Sequence, residues 1–338
     1  MPGARLSLIS TAMIAALAVG ACATDTSPTD PVAEPMTPAV LALDVSSPAS
    51  NTWLTRAQMP TARAGLVAAT VNGNIYAIGG RTSGSVSIAK VEMYDPDGSL
   101  FVWSDRASLP SPRSYASGAV SINGKIYVTG GYGANGGKTR SLYVYSAATN
   151  SWSSKAQIPV ATAQGASAAI DGRLYVLTPP SLGDPQRTRL HRYNPGTDAW
   201  VGRTSAPVNL EGAVVGVIDG KLYAAGGKGE NGALATLYAY DPASDAWTRK
   251  TDMPMARIAA AGQALGGKLY VIGGSWGPGP NGTTQVYTPG SNSWTTKAWM
   301  PTPRYVAAAA NAGGRLYVLG GVPNAGGGPV KVNEAFVP

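Results

Sequence analysis

This sequence predicts an all-β fold made of six copies of one small antiparallel sheet, and three observations lead there. Trp53, Trp103, Trp152, Trp200, Trp247 and Trp294 are separated by 50, 49, 48, 47 and 47 residues. An apolar-Tyr run lies about midway between successive Trp residues, and it ends in Gly-Gly in five of the six copies, as at Gly79-Gly80. Turn signals such as Asn72-Gly73 fall between short apolar runs. A fixed period near 50 residues marks a repeated supersecondary unit that cannot bury its apolar faces alone. Residues that recur in every copy are therefore mostly scaffold, and function is to be sought among those that do not recur.

Each copy reads as four strands. In the first, Gly65 to Thr70 is strand a, Asn72-Gly73 a tight turn and Asn74 to Ile78 strand b; a variable loop follows Gly79-Gly80, then Val91 to Tyr94 is strand c and Trp103 opens strand d. The b runs, such as Ile75-Tyr76-Ala77-Ile78 and Leu316-Tyr317-Val318-Leu319, are apolar at successive positions. A strand covered by neighbouring sheets on both faces reads that way. The last copy ends at Glu334-Ala335-Phe336-Val337-Pro338 and has no strand d, while Trp53-Leu54-Thr55-Arg56 is a spare strand d before the first strand a. The sixth sheet is expected to be completed by this N-terminal strand, which removes the exposed edges of an open array.

The unit resembles the kelch repeat, through Gly79-Gly80, Tyr94-Asp95-Pro96, Trp103, Leu109-Pro110 and Arg113 and their counterparts over residues 53–338. The resemblance implies a six-bladed β-propeller over 51–338, one repeat per blade. It also implies that Arg63, Arg113, Arg257 and Arg304 are scaffold residues. The third copy departs from the pattern, with Thr178-Pro179 in place of Gly-Gly and Thr162 in place of the Arg; Leu210 replaces the next Arg.

Ahead of the repeats, Arg5 and the mostly apolar run Leu6 to Val19 read as a secretory signal over 1–21. Val19-Gly20-Ala21-Cys22 resembles the lipobox of bacterial lipoproteins, which implies acylation of Cys22, the chain's one Cys. Two or more acyl chains anchor durably. Ala23 after the Cys implies the outer membrane where a cell has one. Residues 22–50 then form a disordered Thr-, Ser-, Pro- and Ala-rich tether without Lys or Arg. The net charge is +8; the signal carries +1 and the tether −4, which leaves +11 on 51–338.

Sorting the basic residues by period separates scaffold from candidates. Arg56, Arg106, Lys155, Arg203, Lys250 and Lys297 lie three residues after each Trp, on the outermost strand, where a cation blocks sheet-to-sheet pairing. Lys125, Arg173, Lys221, Lys268 and Arg315 occupy the a–b turns. Most of the rest fall between strand b and the end of strand c, among them Arg81, Lys138, Arg140, Arg187, Arg189 and Lys228. In kelch propellers these loops and the segments leading into strand a share one face around the central channel, so that face is expected to be electropositive. The resemblance further implies binding by the residues just after Gly-Gly, here Arg81, Tyr132, Pro180, Lys228, Ser275 and Val322, and just after the Arg position, among them Ser114, Tyr115, Gln164, Glu211 and Tyr305. Trp276 lies outside the periodic series and offers a platform for a sugar or a planar group.

Catalytic chemistry has little material. With one His and one Cys, neither a His-rich metal site nor a Cys-His nucleophile pair can be assembled. His191 reads as a strand-surface residue. Copper oxidases of the galactose oxidase kind need a Cys joined to Tyr, which the propeller segment cannot supply. Expected, therefore, is a monomeric, lipid-anchored extracytoplasmic module without cofactor that binds an acidic glycan or an acidic protein segment and no nucleic acid. A sialic acid mutarotase-like enzyme working through Glu211 or Glu230, and a passive envelope scaffold, are the alternatives.

Overall fold

The computed structural model describes residues 49–98, 102–180, 187–277, 279–323 and 326–338. The signal, Cys22 and nearly all of the tether lie outside these residues. Within them the chain forms six four-stranded antiparallel sheets and one two-stranded hairpin. In the first blade, Val67–Val71, Asn74–Ile78, Val91–Tyr94 and Trp103–Arg106 follow one another from the channel outward. In the sixth, Ala308–Ala312, Arg315–Leu319 and Asn333–Val337 are completed by the N-terminal strand Thr52–Thr55, with Trp53 opposite Phe336. The innermost strands of successive blades touch in a closed circle, so the fold is a six-bladed propeller closed by its first strand.

Alternation within each blade explains why the sheets stack. In strand a of the first blade Ala69 and Val71 are buried while Ala68 and Thr70 are half-exposed toward the channel. Strand b is buried from Ile75 to Ile78, as its apolar pattern requires. Six hydrophobic clusters result, one at each junction between blades. A Tyr of strand c meets the Trp of strand d in each of the first five blades, from Tyr94–Trp103 at 5.1 Å to Tyr287–Trp294 at 5.3 Å, and Phe336 meets Trp53 at 5.3 Å in the sixth. Each such aromatic pair adds about 0.5–1.5 kcal/mol beyond the area that it buries.

A two-point clasp joins the blades. Trp152 Nε1 donates to the carbonyl of Ala107 at 2.8 Å, and Asn150 Oδ1 accepts from the N–H of the same residue at 2.9 Å. Asp198 and Trp200 hold Ala156, Asp245 and Trp247 hold Thr204, and Asn292 and Trp294 hold Thr251 in the same way. Asn51 and Trp53 complete the pattern on Ala298, at 2.8 and 3.0 Å. Each of these Asn or Asp residues has a positive φ, between 47° and 59°. Asn and Asp tolerate that left-handed conformation better than other residues with a side chain.

The Arg positions are scaffold, as the repeat implies. Arg63 donates to the carbonyls of Ala77, Gly79 and Lys90 and to Glu92, all within its own blade. Arg304 pairs with Glu334, and Arg257 donates to Gly273 and Thr283. Burial pushes the Arg257 guanidinium down to about 10.

His191 corrects the sequence reading, because it is buried and not on a strand surface. It faces Val176 in the register that places Glu92 opposite Ala77, Tyr143 opposite Val128 and Glu334 opposite Val318. At this register of strand c Glu92, Gln285 and Glu334 are buried as well, so a polar side chain on this face is covered in most blades. Where the first and sixth blades supply an Arg partner, the third has Thr162, whose hydroxyl lies 3.1 Å from that of Ser117. Both ring nitrogens of His191 are without a hydrogen-bond partner. Burial, followed by the charge of Arg189, lowers its pKa.

Candidate functional site at the channel mouth

The loop-side mouth of the channel is framed by a closed ring of backbone hydrogen bonds. Tyr115 N–H donates to Gly65 O, Gln164 to Tyr115, Gly212 to Gln164, Ala259 to Gly212, Val306 to Ala259 and Gly65 to Val306, at 2.6 to 3.2 Å. All six residues are left-handed, with φ between 49° and 65°. Only Gly65 and Gly212 take that conformation without steric cost. Tyr115, Gln164, Ala259 and Val306 are held there, and the ring of bonds is what offsets the strain. Gly65 is also needed for space, since a Cβ there would come 2.9 Å from the Tyr115 ring.

Short backbone bridges extend this frame outward. The residue after Gly-Gly pairs with the residue after the Arg position in five blades: Arg81 with Ala64, Tyr132 with Ser114, Lys228 with Glu211, Ser275 with Ile258 and Val322 with Tyr305. Three of these bridges, Tyr132 with Ser114, Lys228 with Glu211 and Val322 with Tyr305, join candidates from the two sets named from the repeat.

Four of them form a connected arc over blades one to three. The Arg81 guanidinium lies over the Tyr115 ring, 5.4 Å from its centroid, and also donates to Ser85 at 3.2 Å. Tyr115 meets Tyr132 edge-on at 6.0 Å, and the Tyr132 hydroxyl donates to Gln164 at 3.2 Å. Burial raises the pKa of both tyrosines, with Arg81 opposing the shift at Tyr115 and Glu211 adding to it at Tyr132. Both hydroxyls therefore remain protonated donors through the physiological range. A groove of about 310 Å³ opens between the b–c loops of the first two blades, with Arg81, Tyr115 and Tyr132 on its walls. Glu211 and Lys228 continue the arc into the fourth blade, where the loop after Lys228 folds back as the hairpin Lys228–Gly229 and Gly232–Ala233.

The other candidates fall around this arc. Lys138 pairs in backbone with Tyr132 and is half-buried, whereas Arg140 is exposed and donates through Nε to the Ile158 carbonyl at 2.8 Å. Arg187 is exposed, and Arg189 is half-buried at the start of strand c in the third blade. Tyr305 lies on the rim of the sixth blade. Trp276 is 63% exposed on the fifth blade, away from the arc.

The channel itself is neutral. Its six inner strands, Val67–Val71, Ala119–Ile122, Ala166–Ile170, Val214–Ile218, Ala261–Leu265 and Ala308–Ala312, contain no Asp, Glu, Lys or Arg. The charge expected on this face thus belongs to the loops and not to the channel wall. Among the described residues no group of three or more His, Cys, Asp or Glu side chains is placed to hold a metal ion.

The family model described as the kelch motif matches residues 62–108, 113–157, 211–254 and 256–301. The chain belongs to the kelch family. Between the second and third matches lies the kelch blade with Thr178-Pro179 in place of Gly-Gly. Among curated proteins, the kelch segment is 34% identical to beta-scruin of Limulus polyphemus over 125 residues, or 35% of this chain and 13% of that protein. It is 35% identical to an F-box/kelch-repeat protein of Arabidopsis thaliana over 103 residues, or 30% of this chain and 27% of that protein. These matches span only a small part of either relative. The solved structure of YjhT aligns with a TM-score of 0.69 and 17% identity over 82% of this chain and 96% of that one, a likeness in fold.

Proposed function

We propose that this kelch propeller is a binding module, held at the extracytoplasmic side of a membrane through acylated Cys22, that recognises an acidic glycan or an acidic protein segment at its loop-side mouth. The observation that carries the reading is the arc from Arg81 through Tyr115 and Tyr132 to Gln164, none of which recurs from blade to blade. Exposed Arg140, Arg187 and Lys228 and half-buried Lys138 stand around it, and Glu211 and Glu230 are the acids in the described parts of the same loops. Loops on a rigid scaffold are the usual seat of binding, and a surface of one sign concentrates ligands of the other. The tyrosine hydroxyls and the Gln164 amide supply directional contacts that a diffuse positive field lacks.

Binding of an acidic polysaccharide or an acidic peptide, measured over a salt series, tests the mouth. Reversing Lys138, Arg187 and Lys228 together to Glu should abolish it, whereas reversing Lys250, Lys268 and Lys297 should leave it intact. Equal losses from both triple variants would show that net charge alone is responsible and would sink the assignment. The anchor is tested separately by intact mass: membrane-extracted protein should carry acyl mass that Cys22→Ser lacks.

A further inference from the structure

Between the second and third blades, on their outer flank, the sheets leave a cleft of about 460 Å³. That is within the range of roughly 300–1,000 Å³ typical of small-molecule sites. Its walls include Lys125, Lys155, Ser146, Ser153, Val144 and Tyr193. Both lysines are exposed.

The neighbouring blades show why this wedge is open. At the junction of the third and fourth blades the residue three after the Trp is Arg203, which donates to the Tyr240 hydroxyl at 3.1 Å and to the Pro242 carbonyl at 3.3 Å and lies 3.4 Å from Asp245. The guanidinium thus bridges that junction. At the second junction the same position is Lys155, while the facing blade offers the same three groups as Tyr193, Pro195 and Asp198. A lysine presents a point charge and cannot make the forked contact.

Two further substitutions widen the cleft. Lys221 is tied to Asp241 at 2.8 Å in the fourth blade, but Lys125 faces Ser146 in the equivalent register. In the fifth blade the positions of Ser146 and Ser153 are Thr288 and Thr295, each larger by a methyl group. Two ammonium groups in no ion pair among the described residues, hydroxyl groups and the apolar flank of Val144 and Tyr193 therefore share one open space, while the Asp198 carboxylate that faces Lys155 is held by Tyr193 and the Ala156 N–H.

We propose that this wedge is a second binding site, independent of the mouth, and that its ligand is a small sugar acid. The carboxylate would lie between Lys125 and Lys155, the ring hydroxyls against Ser146 and Ser153, and the apolar ring face against Val144. A simple inorganic anion would use the lysines alone and leave the rest of the cleft unfilled.

The deciding variant is Lys155→Arg, which keeps the charge but restores the fork that Arg203 makes and so fills the wedge. D-glucuronate serves as probe, with D-glucose and inorganic sulfate as controls, and calorimetry on the full propeller as readout. Saturable glucuronate binding is expected, with an affinity at least tenfold lower in Lys155→Arg and in the Lys125→Met, Lys155→Met double variant. The pair Lys250→Met, Lys297→Met, on the outer edges of other blades and in neither site, should bind glucuronate as the parent does. Thermal unfolding of each variant establishes that it is folded, and a second plug, Ser153→Leu, serves if Lys155→Arg is not. Undiminished affinity in the folded plugged variant, absence of saturable glucuronate binding, or equal affinity for glucose or sulfate would each overturn the proposal.

Discussion

Removal of the Trp53 ring tests the closure of the propeller most directly. Trp53 is half-buried, meets fully buried Phe336 in a tilted pair with ring centres 5.3 Å apart and donates to the Ala298 carbonyl, 245 residues away in the chain. If about 100 Å² of ring surface is covered, its loss costs about 2.5 kcal/mol at 25 cal/mol per Å². The aromatic pair adds about 1 kcal/mol, and the hydrogen bond to Ala298 about 1 kcal/mol. Because area sums of this kind are upper bounds, Trp53→Ala is expected to cost about 3–4 kcal/mol. Trp53→Phe keeps an aromatic pair but loses the N–H and part of the covered ring surface, so it should cost about 1–2 kcal/mol. Asn51→Ala releases the N–H of the same Ala298 and should cost about 1 kcal/mol. Urea midpoints of the two single variants and the double variant Asn51→Ala, Trp53→Phe should reveal a coupling of at least about 0.5 kcal/mol, since both side chains grip one residue. A Trp53→Ala protein within about 0.5 kcal/mol of the parent, or a chain lacking residues 51–56 that stays monomeric and as heat-stable as the parent, would refute closure by this strand.

Other expectations follow from the buried polar groups and the mouth ring. The folded-state pKa of His191 lies below the unfolded value of 6.5, so the native state binds fewer protons in that window and stability should fall as pH drops below about 6.5. His191→Gln should flatten that decline in urea midpoints taken between about pH 7.5 and 5. Arg304→Met strands Glu334 in the interior and should cost about 3–5 kcal/mol, with part of it regained in Arg304→Met, Glu334→Leu. Ala259→Gly, at φ 52°, should range from neutral to stabilising by about 1 kcal/mol, against a loss of about 0.5–1 kcal/mol for the same change in an ordinary strand; thermal unfolding distinguishes the two.

Much of the architecture was legible in the sequence because the repeat states it six times. Strand b was readable at Ile75 to Ile78 since it is covered on both faces, and the missing sixth strand d matched the spare one at Trp53. The Asn/Asp clasp was also written there, two residues before five of the six Trp, at Asn51, Asn150, Asp198, Asp245 and Asn292. Its role is hidden there, because the polar residue looks like ordinary turn chemistry until its partner in the neighbouring blade is known. The mouth ring left no such trace. Tyr115, Gln164, Ala259 and Val306 are not residues whose propensity points to a left-handed backbone, and only contacts between blades impose it. The burial of His191 is hidden for a related reason, since nothing in its own segment tells the covered face of strand c from the face that carries half-exposed Arg192. Lys155 belonged to a periodic set of edge cations, and its distinct setting depends on Ser146 and Ser153, neither of which stands out alone.

The six-membered ring of left-handed residues makes the rim behave like a hoop. Each link is fixed by both its neighbours, so no single segment can swing outward without breaking two bonds. Tyr115 and Gln164 are links of this hoop as well as members of the contact arc. Their backbones are set before any ligand arrives, and only side-chain rotation remains to be lost on contact, which lowers the entropic cost of association. A rim built this way selects by shape and rejects partners that would require it to open. It also means that an insertion into any one of the six segments leading into strand a, even on the far side from Arg81, would break the hoop and loosen the whole mouth.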